Sequence, residues 1–118
     1  MMGVNEVRLM GRVTRDPELK KTAGGKSVLE FRLAVNGRSQ VAGERGLPTY
    51  TMVRTWEDLA EQCARVLVHG YPVYVEGALR NDEWTTPKGE PRSKLYVKAT
   101  AIQFLGNLMG ERKEAVEA

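Results

Sequence analysis

The spacing of apolar residues changes twice along this chain, and that change limits the fold more than any other feature. From Leu29 to Val35, strict alternation sets Leu29, Phe31, Leu33 and Val35 against Glu30, Arg32 and Ala34. This is the period of a strand with one buried face. Alternation returns over Thr49 to Trp56. Between Glu57 and Val68 it gives way to a helical face, with Leu59, Ala60, Cys63, Val66 and Leu67 at i, i+1, i+4, i+7 and i+8. Glu57, Asp58 and Glu61 fall in the first turns, where the helix dipole favours acids. Thr55 with Asp58 predicts an approximate capping pair, and Gly70 a stop. From Tyr71 to Arg80 alternation resumes, with Val73, Val75, Gly77 and Leu79 inward and Tyr74, Glu76 and Arg80 outward.

The other segments fill in around this pattern. Asn5 to Thr14 sets Val7, Leu9 and Val13 against Arg8, Met10 and Arg12, with Gly11 where a strand bends or bulges. Residues 15–26 hold Pro17 and Gly24-Gly25 and read as a turn-rich connector, with Lys20, Lys21 and Lys26 on a solvated tip. Asn36 to Pro48 reads as a long flexible loop. Asn81 to Ser93 carries Trp84 and the turn Pro87-Lys88-Gly89, a long hairpin arm. Leu95, Val97 and Ala99 alternate with Tyr96, Lys98 and Thr100 in a fifth strand that runs on to Phe104. Three strands, a helix and two strands is the order of an OB-fold: all-β, a five-stranded Greek-key barrel with one helix between strands 3 and 4. An SH3-like barrel fits a helix in that position less well. Residues 1–106 form the one expected domain, and residues 107–118 a short polar C-terminal extension expected to fray.

Chemistry is limited by what the chain contains. Its 118 residues suffice for a single core, and the formal charge of +3 permits a polyanionic partner without demanding one. One cysteine and one histidine exclude an internal disulfide and a Cys/His zinc site. Cys63 falls on the apolar helix face and reads as a core residue rather than a nucleophile. The sequence holds no G-x-x-x-x-G-K-[ST], G-x-S-x-G or H-E-x-x-H motif. Glu57-Asp58 and Asp82-Glu83 are adjacent pairs better explained by solvation than by acid–base work. No enzyme activity and no cofactor are expected. No apolar run reaches membrane-spanning length, which points to a reducing, cytoplasm-like compartment.

A binding surface is the more informative reading. Tyr50, Met52, Arg54 and Trp56 share one face of their strand, and Thr51, Val53 and Thr55 the other. Two rings flanking a cation suit the bases and phosphates of an unpaired strand; the plain alternative is rings packed beneath a loop. Trp84 sits in a polar arm and either packs on its own hairpin or meets a ligand. Arg8, Arg12, Arg54, Arg80, Lys88, Arg92 and Lys94 are candidates to track a backbone, although each taken singly is an ordinary solvated charge.

The motifs G-V-N-E-V-R-L-M-G-R-V-T-R-D-P-E-L, L-A-V-N, L-A-E-Q-C-A, V-Y-V-E-G-A-L-R and W-T-T-P-K-G, in this order, resemble the bacterial single-stranded DNA-binding proteins. The resemblance runs from about Gly3 to Gly106. It implies an OB-fold assembled as a homo-oligomer, a tetramer or dimer. It further implies sequence-independent binding of single-stranded DNA in replication, recombination and repair, in a bacterial cytoplasm near the nucleoid. By position, Tyr50, Trp56 and Trp84 match aromatic stacking positions and Arg80 a basic contact, while Arg54 lies on the same strand face. Ser39 stands where many members carry another stacking aromatic. Asp58, Asp82 and Glu83 stand where members often carry basic residues, which implies weaker binding than is typical. The chain ends G-E-R-K-E-A-V-E-A, without the linker and acidic tip through which members recruit replication and repair proteins. A binding core, a tailless paralogue and a primosome-type adaptor that mainly binds protein stay open as readings. RNA stays open as a ligand, because stacking does not distinguish the sugar.

Overall fold

The computed structural model describes residues 2–37 and 46–106. In chain order they form β1 (Val7–Val13), β2 (Glu18–Lys21), β3 (Ser27–Val35), β4 (Thr49–Trp56), α1 (Glu57–Val66), β5 (Pro72–Thr85) and β6 (Pro91–Phe104). The sheet order is β1-β5-β6-β4-β3-β2, and an extra pairing of β1 with β3 closes it into a ring. All pairings are antiparallel except β4 with β6, which are parallel at Val53–Val97 and Arg54–Lys98. This is the expected all-β barrel with one helix after the strand that ends at Trp56.

The core follows the alternation. Leu29, Phe31 and Leu33 of β3, Val53 of β4, Val73 and Val75 of β5 and Val97 of β6 are buried inside the ring. Helix α1 closes the barrel with Ala60 and Cys63, and Leu67 follows at its C-terminal cap. Burying one such aliphatic side chain contributes roughly 1.5–3 kcal/mol, so the inward faces of β3 and β4 hold their outward faces firmly in place. Two glycines permit close backbone approaches. A Cβ at Gly11 would run into the Ala34 carbonyl where β1 meets β3, and one at Gly77 into the Lys98 carbonyl beside the register shift at Glu76/Gly77.

Several local expectations change. The connector after β1 contains the four-residue strand β2, which pairs with β3 from Glu18–Glu30 to Lys21–Ser27. Lys20 and Lys21 therefore stand on a strand, with Lys26 in the turn beyond. The helix ends at Val66 with Leu67 as its C-cap, before Gly70 is reached. Thr55 does not pair with Asp58: its hydroxyl is buried and donates to the Leu29 carbonyl at 3.0 Å. Trp56 is the N-cap and provides no side-chain cap. Leu79 and Leu95 face the expected side but are 43% and 59% exposed. They lie where β5 and β6 leave the barrel as an arm, so the face has nothing beneath it. Ser39 and residues 107–118 lie outside the described residues.

Candidate nucleic-acid interface

Directly paired residues of neighbouring strands present their side chains on the same face of a sheet, so the register fixes which outward residues are neighbours. On the outer side of β3 and β4 the rows are Ala34–Tyr50, Arg32–Met52, Glu30–Arg54 and Val28–Trp56. The row through Arg54 continues to Lys98 and then to Ala78. From there the same face runs out along the β5–β6 arm as Arg80–Tyr96, Asp82–Lys94 and Trp84–Arg92. Tyr50 and Trp84 are 49% and 47% exposed, and Trp56 is half-buried. Beside Trp56, Met52 and Arg32, an open groove of about 530 Å³ is lined by the outer side of β3 and β4 and by residues of the Arg15–Lys20 segment.

The rings and cations on this face are already organised. The Arg32 guanidinium lies 4.0 Å from the centre of the Tyr50 ring, and that of Arg54 lies 4.0 Å from the centre of the Tyr96 ring. Such contacts contribute roughly 0.5–1 kcal/mol at exposed sites. Arg54 also donates through Nε and Nη2 to Glu30 Oε2, at 3.1 and 2.9 Å, and through Nη2 to Asp82 Oδ2 at 3.2 Å. Burial pulls its guanidinium down, but the bonds to Glu30 and Asp82 and the neighbouring negative charge outweigh this and leave it above its ordinary value. Trp56 gets its place from both sides. It is the last residue of β4, and Glu57 turns the chain straight into α1 at φ 54°, a left-handed conformation that is costly outside glycine.

The structure thus brings Tyr50, Arg54, Trp56, Arg80, Trp84, Arg92 and Lys94 onto one continuous face. Arg92 is also bound to Glu90 at 3.0 Å. Lys88 is exposed in the turn at the arm tip, where Gly89 N–H donates to the Thr86 carbonyl. Arg8 and Arg12 are on β1. Arg8 is paired opposite Glu76 on the β1–β5 wall. Arg12 shares a row with Ala34 and Tyr50, but its Nη1 donates to the Gly70 carbonyl at 2.7 Å. Of the acidic residues noted above, Asp82 is bound to Arg54, Glu83 lies on the reverse of the arm opposite Ser93, and Asp58 is exposed in the first helical turn. Arg32, Tyr96 and Lys98 also belong to this face although the sequence did not single them out. Their parity was visible as outward; only the register makes them neighbours of Tyr50 and Arg54. Among the described residues, no cluster of three His, Cys, Asp or Glu could hold a metal ion.

Comparison with known proteins places the chain in a family. The model of the Single-strand binding protein family matches residues 4–105. The chain belongs to that family. A single-stranded DNA-binding protein of Thermus thermophilus is 44% identical over 100 residues, covering 85% of this chain and 37% of that protein. One from Treponema pallidum is 37% identical over 112 residues, covering 93% and 62%. Single-stranded DNA-binding protein 1 of Synechocystis is 34% identical over 107 residues, covering 90% and 87%. The chain therefore spans well under two thirds of the Thermus family member and slightly under two thirds of the Treponema one. Among the described residues no helix is long and apolar enough to cross a membrane.

Proposed function

We propose that this chain binds single-stranded DNA without reading its sequence, by stacking bases on Tyr50, Trp56 and Trp84 and pairing phosphates with the cations around them. The observation that carries this is the display of all three rings on one outward face that continues from barrel to arm. Stacking contributes roughly 1–3 kcal/mol per base whatever the base is, so three rings dominate at a net charge of only +3. Arg32, Arg80, Lys94 and Lys98 supply the flanking positive charge, and Lys88 extends it to the arm tip. Arg8 and Arg12, on the β1 wall, belong to this reading only if the strand wraps beyond the aromatic face. The names of the relatives favour strand binding over the adaptor reading. In the cell this activity serves replication, recombination and repair in a bacterial cytoplasm near the nucleoid, with the chain acting as a homo-oligomer.

Titration with oligo(dT), followed by tryptophan fluorescence at two salt concentrations, tests the reading. Quenching and an affinity that falls as salt rises are expected. Unquenched fluorescence together with no salt-sensitive complex would end it. A parallel titration with oligo(rU) reports how far the face accepts RNA.

A further inference from the structure

Arg54 is in the centre of the binding face, yet its bonds are not those of a group waiting for phosphate. Its guanidinium is held by Glu30 of β3 and Asp82 of β5, and it is stacked on Tyr96 of β6. Its side chain is only 19% exposed. Three strands thus meet at one planar group, and two of them form the arm. A phosphate approaching this guanidinium would meet two carboxylates that already take its Nε and Nη2 donors.

The arm has little else to fix its direction. β4 pairs with β6 only at Val53–Val97 and Arg54–Lys98, at the root of the arm. On the other side, the Asn5 side chain accepts from the Leu79 N–H at 2.8 Å and donates to the Leu79 carbonyl at 2.9 Å, again at the root. Among the described residues, the Arg54–Asp82 bond is the outermost hydrogen bond or ion pair between barrel and arm. Trp84 is two residues beyond Asp82 on the same face of β5.

We infer that Arg54, Glu30 and Asp82 form a latch that sets the angle of the β5–β6 arm against the barrel and thereby positions Trp84 for stacking. Arg54 is then a positioning residue, not a phosphate contact. Asp82, which looks from sequence like a lost phosphate contact, gives a pre-set arm in exchange. Ordering the arm before the ligand arrives removes a cost of binding. The inference rests on the strand-binding proposal for its functional consequence, but the latch itself can be tested without DNA.

The chain has two tryptophans, so Trp56→Phe leaves Trp84 as the sole reporter. In this background, Asp82→Ala should lower the Trp84 fluorescence anisotropy of the free protein and weaken oligo(dT) binding by about tenfold, roughly the loss of one stacked base. Arg54→Lys keeps the charge but loses the planar fork. It should reproduce both effects, and the double variant should add little to either. The opposite result is just as clear. If Asp82 only repels phosphate, Asp82→Ala will tighten binding and steepen its salt dependence, leave the anisotropy unchanged, and overturn the latch. If the parent protein fails to bind oligo(dT), the functional proposal falls, while the free-protein anisotropy still decides whether the latch exists.

Discussion

The two halves of the aromatic face are held in place by different physics. Tyr50 and Trp56 stand on β4, and on the reverse of β3 and β4 lie Leu29, Phe31, Leu33, Val53 and Thr55, none more than 2% exposed. Trp84 stands on an arm whose reverse carries Leu79 and Leu95 open to solvent. On the barrel, a ring is fixed by a close-packed core, which tolerates little displacement. On the arm, ladder hydrogen bonds and one ion-pair node do the fixing, and these yield more easily. The barrel half is therefore the permanent part of the proposed binding face, and the arm half is the part that can be adjusted.

The largest effect that could break this contrast concerns stability. Leu33→Ala empties space in the barrel core and should cost about 2–5 kcal/mol in urea or thermal unfolding. Leu95→Ala should stay within about 0.5 kcal/mol, because the side chain is already 59% exposed. Comparable losses at the two positions would mean that the arm's reverse face is buried in the working protein, for instance in an assembly, and that barrel and arm are held by the same packing.

Next in size is the effect on strand binding. Tyr50→Ala and Trp56→Ala should each weaken oligo(dT) affinity by about 1–3 kcal/mol without a matching loss of stability. Trp84→Ala should fall at the lower end of that range, since its ring has only the arm behind it. A Trp84 effect larger than both barrel positions, read by equilibrium titration of each variant, would make the arm the principal platform.

The same division explains what could be read in the sequence. Leu29–Val35 and Thr49–Trp56 alternate because one face of each is buried, so their core residues and outward rings were legible; the bounds of β4 were read as they stand, while β3 begins two residues earlier, at Ser27. Leu79 and Leu95 alternate just as cleanly, but a period of two says which side a residue faces and not whether anything lies there. β2 escaped notice because all four of its residues are exposed and carry no apolar period. The Thr55–Asp58 cap was expected from local spacing, and tertiary structure overrode it when the Thr55 hydroxyl found the buried Leu29 carbonyl. The Arg54 node was hidden for another reason. Glu30, Arg54, Asp82 and Tyr96 come from four strands, and only the register brings them together.

Salt dependence separates cations that meet phosphate from those already paired. Each exposed cation that neutralises a phosphate adds about 0.7 to the slope of log affinity against log salt for a single strand. Lys94→Ala and Arg80→Ala should each lower the slope by up to that amount. Arg54→Met should leave it unchanged while still reducing affinity, because Arg54 is already paired with Glu30 and Asp82 rather than with a phosphate. A drop at Arg54 as large as that at Lys94 would show that Arg54 meets a phosphate and is more than a positioning residue.

The Cys63 thiol adds the least pH dependence in the neutral range, and it offers a way to watch the barrel half alone. The thiol is fully buried on α1 against the reverse of β4. Burial pushes it up from an ordinary value near 9.0 to about 12, with a hydrogen bond involving Thr55 drawing it partly back. Between those values the unfolded thiol has lost its proton and the folded one has not, so the unfolded state binds fewer protons. Stability from this group is fully present below about pH 9.0 and declines as pH rises towards 12. Cys63→Ala removes a buried core group and should lower stability by a similar amount across the neutral range, while flattening the decline between about pH 9.0 and 12. The same burial makes Cys63 react with a thiol reagent at pH 8 only when the barrel opens. Leu33→Ala should then speed labelling by more than tenfold, whereas Asp82→Ala and Trp84→Ala should leave it at the parent rate. If loosening the arm exposed Cys63 as readily as hollowing the core, barrel and arm would open as one cooperative unit, and the two halves of the face would share a single stability.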